Sequence, residues 1–246
     1  MLSLLQYTTL PLAFALQLLT AVLILRRKQV HTFPVFFAYT VFHLAQAIVS
    51  FVAFRISYKV YFYEWWAGEL LDVFLSLAVL QEIFRVTFQP YDALRRWSAW
   101  IYFLVAVLLC GSALVMGYRH PAGYSPRVAA LLTLDRSANF VFVGLLLFLF
   151  LFYRLFGMTW RHYVFGIASG FVLMASMVTA SEALRTYFGQ QFDSWATAAN
   201  ALAFTFAVAL WTYYFGSKRS RVALDQVPGT EKLITWNRAL GEIGRR

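Results

Sequence analysis

The chain has 246 residues, 61% of them hydrophobic and 19% aromatic, with 13% charged and a formal net charge of +10. Soluble domains carry about 25% charged residues, so the composition excludes an ordinary soluble domain and points to a membrane protein. The positive charge addresses an anionic membrane surface, not nucleic acid, because the basic residues gather in loops and in the C-terminal tail.

A membrane-spanning helix needs about 20 mostly apolar residues. Seven segments meet this, at about 4–25, 34–54, 61–88, 97–118, 126–158, 163–187 and 192–215. They predict an all-α, polytopic seven-transmembrane-helix bundle over residues 1–216, followed by a basic tail over 217–246. The first segment has no Lys or Arg before Arg26, and Arg26, Arg27 and Lys28 follow it. A cleavable signal peptide has the opposite charge order, so the segment is expected to be a span. Pro34 sits at the start of the second, a favoured position for proline.

The third segment, YFYEWWAGELLDVFLSLAVLQEIFRV, is long enough to span, yet it carries Glu64, Glu69, Asp72, Glu82 and Arg85. Ionisable groups at membrane depth are costly and mark functional sites by default. Gln89-Pro90 ends it. In the fourth segment lies Cys110, the sole cysteine, which leaves no disulfide framework or cysteine metal site within the chain. Ser125-Pro126 opens the fifth as N-cap and first helical residue, and Gly166 and Gly170 give the sixth a spacing that permits close helix contact.

With the N-terminus outside, fifteen of the 21 basic residues fall inside, the distribution of the positive-inside rule. This predicts an N-out, C-in, multi-pass protein of the inner (plasma) membrane. Glu64-x-Trp66-Ala67 and Asp193-x-Trp195-Ala196 echo each other at corresponding ends of the third and seventh segments, a trace of a three-plus-one-plus-three repeat.

Helical spacing puts Glu69, Asp72 and Ser76 on one face of the third helix, and Tyr39, His43, Gln46 and Ser50 on one face of the second. Counting from the ends, Gln46 and Ser50 fall near the depth of Asp72 and Glu69. Six acids lie in the outer half: Glu64, Glu69, Asp72, Asp135, Glu182 and Asp193. Hydrocarbon does not tolerate unpaired charges, so the two solutions are a water-accessible polar pocket open to the outside or a salt-bridge layer tying helix ends together. The pocket reading takes Glu69, Asp72, His43, Gln46, Asn139, Asn200, Arg136 and Arg185 as ligand-binding residues. Glu82 and Arg85, three apart, are placed to neutralise each other.

Cofactor chemistry finds little purchase. His43 alone among the four histidines lies at depth, so no haem pair forms, and no metal ligand set or cofactor is expected. There is no G-x-S-x-G, H-E-x-x-H or glycine-rich phosphate loop, so no catalytic residues are assigned and no enzyme activity is expected. In the tail, Leu233, Trp236, Leu240 and Ile243 form an apolar stripe. With Lys218, Arg219, Arg221 and Arg238 it fits a helix on the inner leaflet; a solvated tail is the alternative.

The run from Glu64 to Tyr91, ending EIFRVTFQPY, resembles uncharacterised bacterial seven-helix membrane proteins. In topology alone the chain resembles the seven-helix sensor regions of bacterial receptors. That likeness implies a receptor-like protein that binds a small ligand from outside and signals through a separate cytoplasmic partner, since about thirty residues follow the last segment. A small secondary transporter or proton-coupled carrier using Glu69 and Asp72 is the other reading. The apolar continuation inward, Leu75, Val79 and Ile83, favours binding over transport.

Overall fold

A computed structural model of the chain describes residues 2–88, 162–188 and 192–217, with positions 100, 103, 107, 111 and 139 and most of 142–151 between them. The described residues are all-helical, with no strand. Five long helices are described: α1 (Leu2–Arg26), α2 (Pro34–Ile56), α3 (Tyr58–Phe88), α4 (His162–Phe188) and α5 (Asp193–Gly216). They cover the first, second, third, sixth and seventh predicted segments. Four are long and apolar enough to cross a membrane, namely α1, α2, α4 and α5. α3 has 31 residues, ample length for a span, but its charged residues set it apart. Most of the fourth segment, the fifth apart from Asn139 and a short apolar helix within 142–151, and the tail beyond Ser217 lie outside the described residues.

The chain forms two compact units. The first comprises Met1–Glu82 and Ser169–Gly216; the second comprises Ile83–Ala168 and Ser217–Arg246. In the second, Ile83, Phe84, Leu145, Leu146, Leu149, Val164 and Ile167 are buried.

In the first unit, α1 packs on both α2 and α5. Its contacts with α5 run in parallel register: Thr20 Oγ1 lies 2.7 Å from Thr212 Oγ1, and Arg27 donates to the Gly216 carbonyl a turn or so further on. Arg27 there caps the carbonyl end of α5, where a cation is favoured. α1 and α2 turn back on each other through Lys28, whose φ of 54° is left-handed, and a short 3-10 turn at Gln29–His31. α2 and α3 form a tight antiparallel hairpin in which Ser57 is the one residue between them. Its hydroxyl accepts from the Val60 N–H at 3.2 Å and caps α3.

The core of this unit is aromatic. Phe36 stacks on Phe215 at 5.7 Å and meets Trp211 edge to face at 5.1 Å. Phe171 lies 5.2 Å from both Tyr39 and Trp211. Gly170 makes this packing fit: a Cβ there would overlap the Trp211 indole. The glycine spacing of the sixth segment thus serves a side chain of α5. Outside this core the apolar residues face outward: Leu10, Leu18 and Leu25 of α1, and Ile48, Phe51 and Phe54 of α2, are exposed. An apolar exterior of this extent needs a hydrocarbon solvent or a protein cover.

Candidate functional site

Glu82 is buried near the end of α3, and its role is to hold α2. The N-cap position of α2 is Phe33, which offers no side-chain acceptor. Glu82 supplies one from another helix: its two carboxylate oxygens accept the Val35 and Phe36 N–H groups at 2.8 and 2.9 Å. A carboxylate at a helix N-terminus also meets the positive end of the dipole. The expectation of a local Glu82–Arg85 neutralisation missed this use; Arg85 itself is exposed.

The hairpin carries the polar groups. Ser50 donates to Glu64 at 2.8 Å. One turn inward the Gln46 amide packs over Gly68, where any Cβ would collide with it. A further turn inward His43 Nε2 lies 2.8 Å from Asp72 Oδ1. The register therefore differs from the count from the segment ends, which set Ser50 and Gln46 beside Glu69 and Asp72. The single-residue connection pulls the hairpin tighter than a longer loop would.

Around His43 the walls are aromatic: Tyr39 at 4.5 Å, Phe204 at 5.3 Å and Phe42 at 5.5 Å between ring centres. The Tyr39 side chain is wholly buried, and Asp72, Ser76 and Glu69 are the polar groups around its hydroxyl. Tyr39 Oη, His43 Nε2 and Asp72 Oδ1 are all buried without a hydrogen-bond partner. His43 and Asp72 are close, but off the line that a good hydrogen bond requires. Buried polar atoms are normally satisfied, and each one left open calls for an explanation. Three converging in one place mark a site that a polar species would complete.

The structure thus brings His43, Asp72 and Glu69 together, with Gln46 one turn outward. Asn200 accepts from the buried Ser181 hydroxyl at 3.0 Å, joining α4 to α5. Asn139 is half-buried and belongs to the second unit. Arg136, the side chain of Arg185, and Lys218, Arg219, Arg221, Trp236 and Arg238 lie outside the described residues, as do Asp135 and the side chains of Glu182 and Asp193. Tyr39 and Phe204 were not among the expected ligand-binding residues. Tyr39 was legible, being four residues before His43 on the same stripe; Phe204 comes from α5 and has no signal in the sequence of the hairpin. The echo between α3 and α5 joins unlike positions, since Ala67 is exposed while Ala196 is buried. Among the described residues, no group of three or more His, Cys, Asp or Glu could hold a metal ion.

Replacing Asp72 by Asn should be tolerated better than replacing it by Leu, because Asn keeps polar atoms facing Tyr39 and His43. Thermal melts of the two purified variants check this, with the Leu variant expected to melt lower; equal melting would count against a polar interior.

Compared with family models, with curated proteins and with solved structures, the chain matches none.

Proposed function

We propose that the chain is a multi-pass inner (plasma) membrane protein of receptor or sensor type, seven-helical, N-out and C-in. It binds a small ligand in an outward-facing polar site and signals through a separate cytoplasmic partner. The observation that carries this reading is the convergence of Tyr39 Oη, His43 Nε2 and Asp72 Oδ1 as buried, unpartnered polar atoms. Their surroundings favour binding over passage. Toward the end of the unit that carries Arg26, Arg27 and Lys28, Tyr39 gives way to the close-packed rings of Phe36, Phe171, Trp211 and Phe215, each at most 2% exposed. Glu82, the next acid in that direction, is committed to the α2 amides.

Seven spans and the N-out orientation draw support from two sides. The parallel pairing of α1 with α5 requires an odd number of crossings between them, which five intervening spans supply. The basic cluster Arg26–Lys28 belongs on the cytoplasmic side by the positive-inside rule.

A cysteine-scanning experiment in sealed cells tests orientation and access together, in a Cys110→Ser background. A membrane-impermeant thiol reagent added outside should label Gln190→Cys and Asp72→Cys and leave Arg95→Cys unlabelled. External labelling at position 95 overturns the orientation, and a silent position 72 overturns the outward-open site.

The proton-coupled carrier is the second reading, favoured by one feature: a histidine and a carboxylate 2.8 Å apart at span depth, the kind of pair that relays protons. Proteoliposomes loaded with a pH-sensitive dye distinguish the two, since a carrier dissipates an imposed pH gradient and a binding protein does not.

A further inference from the structure

We propose that the Tyr39–His43–Asp72 site is built to take a small organic cation bearing N–H donors, of the alkylammonium class. This deepens the binding reading above and rests on it.

The argument starts from the charge. Asp72 presents a buried carboxylate oxygen that lies 2.8 Å from His43 Nε2 yet makes no hydrogen bond, and Glu69 lies one turn away on the same helix. Further out on the same helix is Glu64. An anion entering here would meet three acids in succession. A neutral molecule could satisfy the hydrogen bonds, but it would bring no charge to offset the acids gathered at span depth, where His43 at 2.8 Å is the neighbour of Asp72. A cation answers both requirements.

The second step is the type of cation. The open atoms ask for donors: a carboxylate accepts only, and a tyrosine hydroxyl can accept while it donates elsewhere. An N–H-bearing ammonium supplies several donors at once, whereas a quaternary ammonium supplies none. A bare metal ion needs a cage of oxygen or nitrogen ligands, and no such group exists among the described residues. The independent pointer to a ligand is Tyr39. Its side chain is completely buried, and its hydroxyl, with Ser76, Asp72 and Glu69 around it, makes no hydrogen bond of good geometry.

The third step is the wall. The rings of Tyr39, Phe42 and Phe204 pack around His43 within 5.5 Å. Aromatic faces attract cations through their quadrupole and also accommodate an alkyl chain. A carboxylate beside aromatic rings is a combination that suits an amine with an apolar tail.

The test uses the full-length protein in detergent, titrated with n-butylammonium chloride. Controls are n-butanol, sodium butyrate, tetramethylammonium chloride and matched sodium chloride. Butylammonium is expected to raise the melting temperature saturably and to give a calorimetric binding isotherm, and the controls are not. Asp72→Asn is expected to weaken butylammonium binding about tenfold or more, the loss of a charge-assisted hydrogen bond. Tyr39→Phe removes one oxygen and is expected to weaken it about threefold. Absence of a saturable effect, an equal effect from butanol or tetramethylammonium, or undiminished binding by folded Asp72→Asn overturns the proposal. Should Asp72→Asn fail to fold, unchanged affinity in Tyr39→Phe overturns it instead. Failure here is distinct from failure of the outward-facing reading. External labelling of Asp72→Cys without butylammonium binding sinks only the ligand class; binding in detergent without external labelling sinks only the orientation of the site.

Discussion

Trp211→Ala is expected to destabilise the folded protein by about 3–5 kcal/mol, the range for deleting a large buried aromatic. The indole is completely buried and touches rings from two other helices, Phe36 and Tyr39 of α2 and Phe171 of α4. Its removal leaves a cavity that these stiff rings cannot close without leaving their rotamers. The same contact can be attacked from the other side. A Cβ at Gly170 overlaps the indole, so Gly170→Ala should force Trp211 to shift, at about 1–3 kcal/mol, the cost of overpacking. Phe206→Ala on α5 is the control, since its ring is 63% exposed. Thermal melts of the purified variants in one detergent measure all three. If Trp211→Ala and Phe206→Ala melt together, the aromatic core does not carry the unit.

Glu82→Ala is the second large effect, about 2–4 kcal/mol, from the loss of a cap together with one buried and one part-buried amide left open. The Val35 and Phe36 N–H groups have no acceptor of their own in Phe33, and Phe36 is itself fully buried. Glu82→Gln should fall between wild type and Glu82→Ala, because the amide keeps one acceptor oxygen and forfeits the charge that the helix dipole favours. Gln81→Ala, exposed on the same turn, should be near neutral. Melting temperatures in that order support the cap. If Glu82→Gln is as damaging as Glu82→Ala, charge carries the whole effect, and indifference to all three substitutions would remove the cap.

Both effects fall on α2, and that bears on the site. Tyr39 and His43 lie one and two turns beyond the Phe36 amide that Glu82 holds. The cap anchors the start of the helix and the aromatic core fixes its rotation, so the face bearing Tyr39 and His43 is held toward α3. The candidate site is thus positioned from the end of the unit that carries the buried aromatic core.

What the residues determined without the fold was the course of each helix. Apolar runs of sufficient length, bounded by Pro34, Gln89-Pro90 and Gly216, mark where a chain in hydrocarbon closes its backbone hydrogen bonds within one segment. Those bonds are local, so local composition suffices, and α1, α2, α3, α4 and α5 lie on apolar segments recognisable in the sequence. The acidic face of α3 and the polar stripe of α2 were legible for the same reason, since helical period alone aligns Glu69 with Asp72 and Tyr39 with His43. Partnership was not legible. That Glu82 caps α2, that Gly170 seats Trp211, that Phe204 closes around His43, and that Ser50 meets Glu64 all depend on the rotation of each helix about its axis and on its register against a neighbour. Period defines a face but not what it faces. A shift of one turn keeps every residue on its stripe and changes every partner, so close packing between helices distant in sequence had to decide which polar atoms were satisfied and which, Tyr39 Oη, His43 Nε2 and Asp72 Oδ1 among them, were left open.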